Sequence, residues 1–398
     1  MAMRAPAGFI SAFFNPLKNP NAPTSPVATA GDASASVAFT APDNIGGSAI
    51  TAYYAVSNPG QFTGTSASSP VSVTGLTNAT SYTFNVWALN SYGPGVWSSA
   101  TGSVTPQSPR AIIMAVNGAS SSLIEYFNMS STGNSSSFGV LSTDPGSGGT
   151  NGVSSASRAI YSGGYNGNYS TAISYVEIYT LGNSVSFGSL AIGRRNAAGV
   201  SNTTRGVIIG GDNSGSTSTS NMAYITIATT GNSTSFGNLS QANGLSGIGG
   251  CESPTRGIFM NGNIPFVGTV NTIEYITIAT TGNSTYFGDM AISLSGCTAC
   301  SSSTRGLSAG DAGSSSLISY ITIASTGNST TFGNLNIKSA YMGATSSSIY
   351  GFWAGGTSAA SSAIRYVTIS TTGNSVSWGN LTVTSFTTGC SSAHGGLH

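Results

Sequence analysis

Charge is what this chain has least of. Only 5% of its 398 residues are Asp, Glu, Lys or Arg, against roughly a quarter in an ordinary soluble domain. A formal net charge of +1 excludes the basic footprint of a nucleic-acid binder. The sequence also lacks the pairing of high charge with low hydrophobicity that keeps a chain disordered. No run approaches the ~20 apolar residues needed to span a bilayer. With two His and ten acidic residues, groups for acid–base or metal chemistry are scarce, so no cofactor and no metal are expected. The four Cys (Cys251, Cys297, Cys300 and Cys390) are too sparse for a disulfide framework. Cys297 and Cys300 form a C-x-x-C pair, but zinc needs four ligands and no second pair accompanies them. Buried free thiols among small residues are the better reading.

What is present is 54 Gly, 39% apolar residues and a length suited to two or three domains. Residues 1–22 read as an arm. Its apolar part is short, no small-x-small cleavage site follows, and Asn15-Pro16 interrupts it, which argues against a signal peptide. Phe9, Ile10, Phe13, Phe14 and Leu17 are expected to anchor the arm on a partner chain; packing back on the chain's own first domain is the alternative.

Residues 23–107 read as all-β. Short β-branched and aromatic runs, such as Thr51-Ala52-Tyr53-Tyr54-Ala55-Val56, alternate with turn clusters such as Asp43-Asn44-Ile45-Gly46-Gly47-Ser48. Tyr82, Phe84, Val86 and Ala88 alternate as one face of a half-buried strand. The segments Gly46 to Tyr53, Gly75 to Phe84, and Ala88-Leu89-Asn90-Ser91-Tyr92-Gly93 resemble a fibronectin type III module. That resemblance places Tyr82 at a tyrosine corner, its ring in the core and its hydroxyl bound by backbone. It also puts Phe39 where the family usually carries Trp, and implies a spacer or stalk.

Residues 108–398 repeat a unit. Strands starting near Tyr126, Tyr175, Tyr224, Tyr275, Tyr320 and Tyr366 recur every 45 to 51 residues. Asn134, Asn183, Asn232, Asn283, Asn328 and Asn374 follow, each after a Gly. Four residues later come Phe138, Phe187, Phe236, Phe287, Phe332 and Trp378, each before a Gly. Four strands per unit, the last supplied by a small-residue stretch such as Gly296 to Ser303, is propeller arithmetic. Gly163-Gly164, Gly210-Gly211 and Gly355-Gly356 add a resemblance to the kelch motif. The expectation is an all-β chain: arm, fibronectin type III sandwich, then a six-bladed kelch-like propeller. The domain opens on a second strand at Pro109 to Met114 and ends on a first strand at Thr388 to Ala393, so the end can complete the beginning.

Arg110, Arg158, Arg205, Arg256 and Arg305 share one phase, with Tyr350 in the sixth place. They could ring an anion, or more simply hydrogen-bond strand-end carbonyls between blades. Cys251, Cys300 and Cys390 share a phase as small fillers near the axis. Four of the repeated Asn begin N-x-S/T sequons, yet the Asn recurs without the sequon, so hairpin geometry explains it. Length differences among the repeats concentrate in Asp212–Asn221, Asn261–Thr272 and Asp311–Ser316, all on one face, where binding usually lives. Tyr165, Tyr169 and Phe266 are the exposed-aromatic binding candidates there, with local packing as the alternative. Both ends of the propeller fall on the opposite face, so the stalk is expected there.

Arm, fibronectin-like spacer and Ser/Thr/Gly-rich repeats of the form Tyr224-Ile225-Thr226-Ile227-Ala228-Thr229-Thr230-Gly231-Asn232 resemble virion proteins of bacteriophages, most closely those of marine and cyanobacterial hosts. The resemblance implies a tail fibre or capsid fibre on the particle surface. It would be held to other virion proteins by its arm and would present the propeller to a host-surface glycan or receptor. Pure structural decoration is the alternative, and monomer and homo-oligomer both stay open. An enzyme is not expected. A glycosidase needs two flanking carboxyl groups, and Asp212 with Asp311 is the one plausible pair. A copper oxidase needs His ligands, and His394 and His398 stand at the terminus.

Overall fold

The computed structural model describes residues 17–116, 122–142, 151–214, 217–241, 244–311, 315–357, 362–382 and 386–397. Among them the regular structure is β-strand, apart from one 3-10 turn at Gly395–Leu397. The all-β expectation holds. The chain divides into two compact units, Met1–Ser108 and Pro109–His398. Phe9, Ile10, Phe13 and Phe14 of the expected arm lie outside the described residues; Leu17 is exposed.

The first unit is a sandwich of two antiparallel sheets. One contains Thr24–Gly31, Ser34–Thr40 and Val71–Thr74; the other orders Thr63–Ser66, Ala52–Asn58, Thr83–Asn90 and Gly93–Pro94. Period-two alternation sends Phe84, Val86 and Ala88 inward against Val37, Val71 and Val73, all fully buried. Each large apolar side chain removed from water there contributes roughly 1.5–3 kcal/mol. Tyr82 joins that core, and its hydroxyl oxygen accepts the Thr77 N–H at 3.1 Å. Phe39 packs on Tyr53 with ring centroids 4.8 Å apart. Asn90 ties the edge together, its amide donating to the carbonyls of Lys18 and Ile45.

Among the described residues the second unit holds six four-stranded antiparallel sheets. The second to sixth each run, in sequence and in space, through a small-residue strand, an Arg- or Tyr-initiated strand, a Tyr-bearing strand and an aromatic-Gly strand. In the fourth sheet these are Gly249–Glu252, Arg256–Met260, Thr272–Thr277 and Thr285–Asp289. The first sheet takes its opening strand from the far end of the chain: Phe386–Ser391 pairs antiparallel with Arg110–Val116. The stretch after each aromatic-Gly pair therefore opens the next sheet instead of finishing its own, as Thr298–Ser301 does for the fifth.

Successive sheets are joined by one repeated seam. The Gly of each aromatic-Gly pair faces the Gly-Asn turn of the next sheet so closely that a Cβ at Gly139, Gly188, Gly237, Gly288, Gly333 or Gly379 would overlap a backbone carbonyl. The facing Gly N–H donates to the carbonyl of the aromatic residue, as Gly182 does to Phe138 at 3.0 Å and Gly373 to Phe332 at 3.0 Å. The neighbouring Asn Oδ1 accepts a backbone N–H two residues past the aromatic, as Asn183 does from Val140 and Asn374 from Asn334. The sixth such seam joins the last sheet to the first, with Gly133 donating to Trp378 and Asn134 accepting from Asn380. The repeated Asn is thus a clasp between sheets, which turn geometry alone did not reveal.

Arg110, Arg158, Arg205, Arg256 and Arg305 lie 4.3–4.7 Å over the Tyr rings of their own sheets. Their Nη1 atoms donate to the carbonyls of Ile178, Ile227, Ile278, Ile323 and Ile369 in the next sheet. These side chains tie strand ends between sheets and leave no ring of free guanidinium groups. In the sixth sheet Tyr350 replaces Arg and packs against Tyr366 and Trp378. Cys251 and Cys300 fill space above Gly306 and Gly351 of the following sheet. A residue there must be small enough for two sheets to meet, and Cys300 and Cys390 also line a narrow cavity edged by the first strands of all six sheets.

The seam sets a sharp steric test. Gly333→Ala places a methyl group into the Gly373 carbonyl and should cost about 1–3 kcal/mol, whereas Gly373→Ala meets nothing nearby and should leave the melting temperature close to that of the parent. Thermal unfolding of the two variants side by side checks this.

Candidate functional site

The three loops between the second and third strands of the second, third and fourth sheets, with the connection from the second sheet to the third, bring aromatic side chains beside two of the chain's scarce charges. Each loop is internally paired. Tyr165 bridges Tyr169, Asp212–Ser214 pairs with Thr217–Ser218, and Asn263–Ile264 pairs with Gly268–Thr269. Arg195, in the connection from the second sheet to the third, exchanges both backbone hydrogen bonds with Asp212. Together Tyr169, Arg195, Asp212, Ser214, Thr217, Asn263, Pro265 and Phe266 line an open hollow of about 260 Å³.

Two of the three expected aromatics, Tyr169 and Phe266, line it, and the third stands behind. Tyr165 and Tyr169 have centroids 4.9 Å apart, and the Arg195 guanidinium sits 4.9 Å from the first ring and 5.7 Å from the second. The Tyr169 hydroxyl donates to the Ser214 carbonyl at 2.7 Å, so its ring is a fixed wall. Phe266 is 93% exposed. It occupies the third place of the turn Ile264-Pro265-Phe266-Val267, closed by the Val267 N–H on the Ile264 carbonyl. Its φ of 65° is a value that turn position normally gives to Gly, and a bulky residue there carries strain of about 1–3 kcal/mol. No packing gain offsets that strain, since the ring faces water.

Electrostatics in the hollow are balanced. Arg195 Nε lies 3.5 Å from Asp212 Oδ2. The same carboxylate accepts from Asn196 Nδ2 at 2.9 Å and from Ser218 Oγ at 3.1 Å. Beneath them Arg194 is fully buried. It donates to the carbonyls of Gly210 and Asn221 and to Asn221 Oδ1, while its own carbonyl accepts the Gly164 N–H. Burial lowers its guanidinium to about 10, still charged at neutral pH. Arg194 therefore pins two of the loops that carry the hollow. The sequence held one clue to Arg194, Arg195 and Asp212: they are charges that fall outside the repeat phase.

Elsewhere the acids serve the frame. Glu125 accepts from Thr382, Glu274 from Ser240 and Ser284, and Glu177 pairs with Arg158 at 2.7 Å. Asp311, the suggested partner of Asp212, accepts the Ser315 N–H in its own loop. His394 lies between first strands: Nδ1 is 2.6 Å from Glu252 Oε1, and Nε2 is 2.9 Å from the Ser154 carbonyl and 3.4 Å from Ser201 Oγ. The order Ser, His, Glu imitates a nucleophile with its base. Here, however, Nε2 faces a carbonyl acceptor and Ser201 Oγ accepts the Ser154 N–H, so the group clamps the tail. His398 is outside the described residues. Among the described residues no three His, Cys, Asp or Glu side chains gather as a metal site, and no helix is long and apolar enough to cross a membrane.

No protein-family model matches the chain, and no curated protein does. Solved structures do match, among them titin domains A168–A170, at 24% identity over 22% of this chain and 32% of that one, with a TM-score of 0.21. The chain thus spans about a third of the titin structure, and a likeness of that size carries no argument about the whole.

All four thiols are free and buried. Burial pushes Cys297 up to about 11 and Cys390 up to about 12, so the thiolate that alkylating agents attack is absent. Iodoacetamide at mildly alkaline pH should label none of them in the native protein and all four in denaturant, as read by intact mass. For the hollow, Arg194→Met strips hydrogen bonds from buried carbonyls and should cost roughly 2–4 kcal/mol, measured by denaturant unfolding.

Proposed function

We propose that this chain is a structural virion protein of a bacteriophage, a tail fibre or capsid fibre whose second unit is a six-bladed kelch-like β-propeller that attaches to the host surface. The observation that carries the binding part is Phe266, held in a strained backbone conformation with its ring in water beside Tyr169, Arg195 and Asp212. A residue kept at a cost to the fold and with no packing return is accounted for by a contact outside the chain.

The propeller reading is supported by six like sheets, by six like seams of which the last joins the final sheet to the first, and by an opening strand donated from the end of the chain. The fibronectin type III reading of the first unit is supported by the three-plus-four sandwich and the bound Tyr82 hydroxyl. In the second unit Arg110, where the chain enters, stands at the opposite end of its strand from the loops that carry the hollow. That geometry suits a domain held at one face and presenting the other. The virion assignment itself rests on the resemblance of the arm, spacer and repeat phrase to phage appendage proteins. In this reading Phe9, Ile10, Phe13, Phe14 and Leu17 anchor the chain to other virion proteins. This reading assigns no catalytic step: Asp212 stands beside Arg195, and His394 beside Glu252 in the tail clamp.

Adsorption of the labelled full chain to a panel of bacterial and cyanobacterial cells tests the reading. Saturable adsorption that blocks phage attachment is expected, and Phe266→Gly should abolish it while melting at the same or a higher temperature, because Gly relieves the positive φ. Failure to adsorb to any cell, with the chain still incorporated into particles, would leave decoration as its role.

A further inference from the structure

We propose that the hollow takes a neutral pyranose residue of a surface polysaccharide; this deepens the attachment reading above and rests on it. The argument begins with the shape of what is free. Phe266 offers an uncovered aromatic face, which suits the apolar C–H face of a sugar ring far better than a flexible peptide side chain. Tyr169 supplies a second aromatic wall of the hollow and is held in place by the Ser214 carbonyl, which accepts its hydroxyl. At about 260 Å³ the space falls below the ~300 Å³ at which pockets for drug-sized ligands begin. One ring fits that scale, with the rest of a polymer lying across the open rim.

The polar groups then decide which ring. A sugar presents hydroxyls, each both donor and acceptor, so its site needs both kinds of partner side by side. Arg195 provides the donors. Only its Nε side faces Asp212, and no hydrogen bond from its two terminal nitrogens is found among the described residues. Stacking over Tyr165 holds the plane of the fork in place. Asp212 provides the acceptor, its carboxylate oriented by Asn196 and Ser218. Asn263, on the same wall, offers both.

Charge excludes the acidic sugars. Arg195 and Asp212 cancel, so a uronate, sialate or sulfate would meet a carboxylate at the same place as the guanidinium and gain no net attraction. A neutral pyranose uses the pair as donor and acceptor and has no charge to desolvate. Binding by stacking and neutral hydrogen bonds should also be nearly indifferent to salt, unlike binding between opposite charges.

A glycan array that carries neutral, uronate, sialylated and sulfated glycans, probed with the labelled full chain, tests this at low and high NaCl. The expected hits are glycans with neutral pyranose residues, unchanged by salt and weakened roughly tenfold or more by Phe266→Gly. Arg195→Met should weaken the same hits, and its melting temperature separates lost contacts from lost folding. Hits confined to acidic glycans, or hits that Phe266→Gly leaves intact, would overturn the proposal. Adsorption to cells without any glycan hit would also overturn it, while leaving the attachment reading standing with a protein receptor. Neither cells nor glycans bound would remove both.

Discussion

Close backbone approach at the glycine seam is the constraint on which the second unit depends. Where an aromatic-Gly pair meets the Gly-Asn turn of the next sheet, no side-chain carbon can intervene. That proximity lets an N–H reach the aromatic carbonyl and lets Asn Oδ1 reach the strand beyond. It also sets the distance at which a repeated Arg can lie over its own Tyr and still touch the carbonyls at the end of the neighbour's Tyr-bearing strand. Aromatic bulk fills the sheets and glycine permits them to meet. Uncharged polar atoms and a few guanidinium groups then satisfy the backbone at the join, as buried backbone groups require.

That economy explains how so little charge suffices. The buried acid Glu274 is saturated by hydroxyls and an N–H group from adjacent loops, and the buried Arg194 is solvated by carbonyls in place of a carboxylate. Each is a desolvated charge that is tolerable only because its hydrogen bonds are complete. Against this background the partly open Arg195–Asp212 pair stands apart, since among the described residues no hydrogen bond uses the terminal nitrogens of Arg195.

Much of the frame was legible in the sequence, because its causes are periodic. The spacing of Tyr, Asn and aromatic-Gly gave the number and kind of strands. The phase of the two ends anticipated the pairing of Phe386–Ser391 with Arg110–Val116, and alternation at Phe84, Val86 and Ala88 located the first core. The carbonyl-binding Arg residues could be reasoned from donor count alone. What stayed hidden was the close glycine contact between units of the repeat. The Asn clasp looks like an ordinary turn residue until a neighbouring strand is beside it. The candidate hollow was half visible: Tyr165, Tyr169 and Phe266 could be picked as exposed aromatics. Arg195 and Asp212 lie far from Phe266 in sequence and meet it only where three loops converge, which no single-loop pattern records.

The donated strand has a consequence for biosynthesis. Arg110–Val116 leaves the ribosome before the other five sheets are made, but its partner Phe386–Ser391 follows all of them. Until then the first sheet waits with one row of N–H and C=O groups unmatched, and the sheets made after it cannot supply them. Completion of the second unit thus reports that all six sheets have been made. A polypeptide cut short anywhere in the repeats keeps an open strand edge that proteases and chaperones can recognise, so only chains that carry this late strand present the finished loop face.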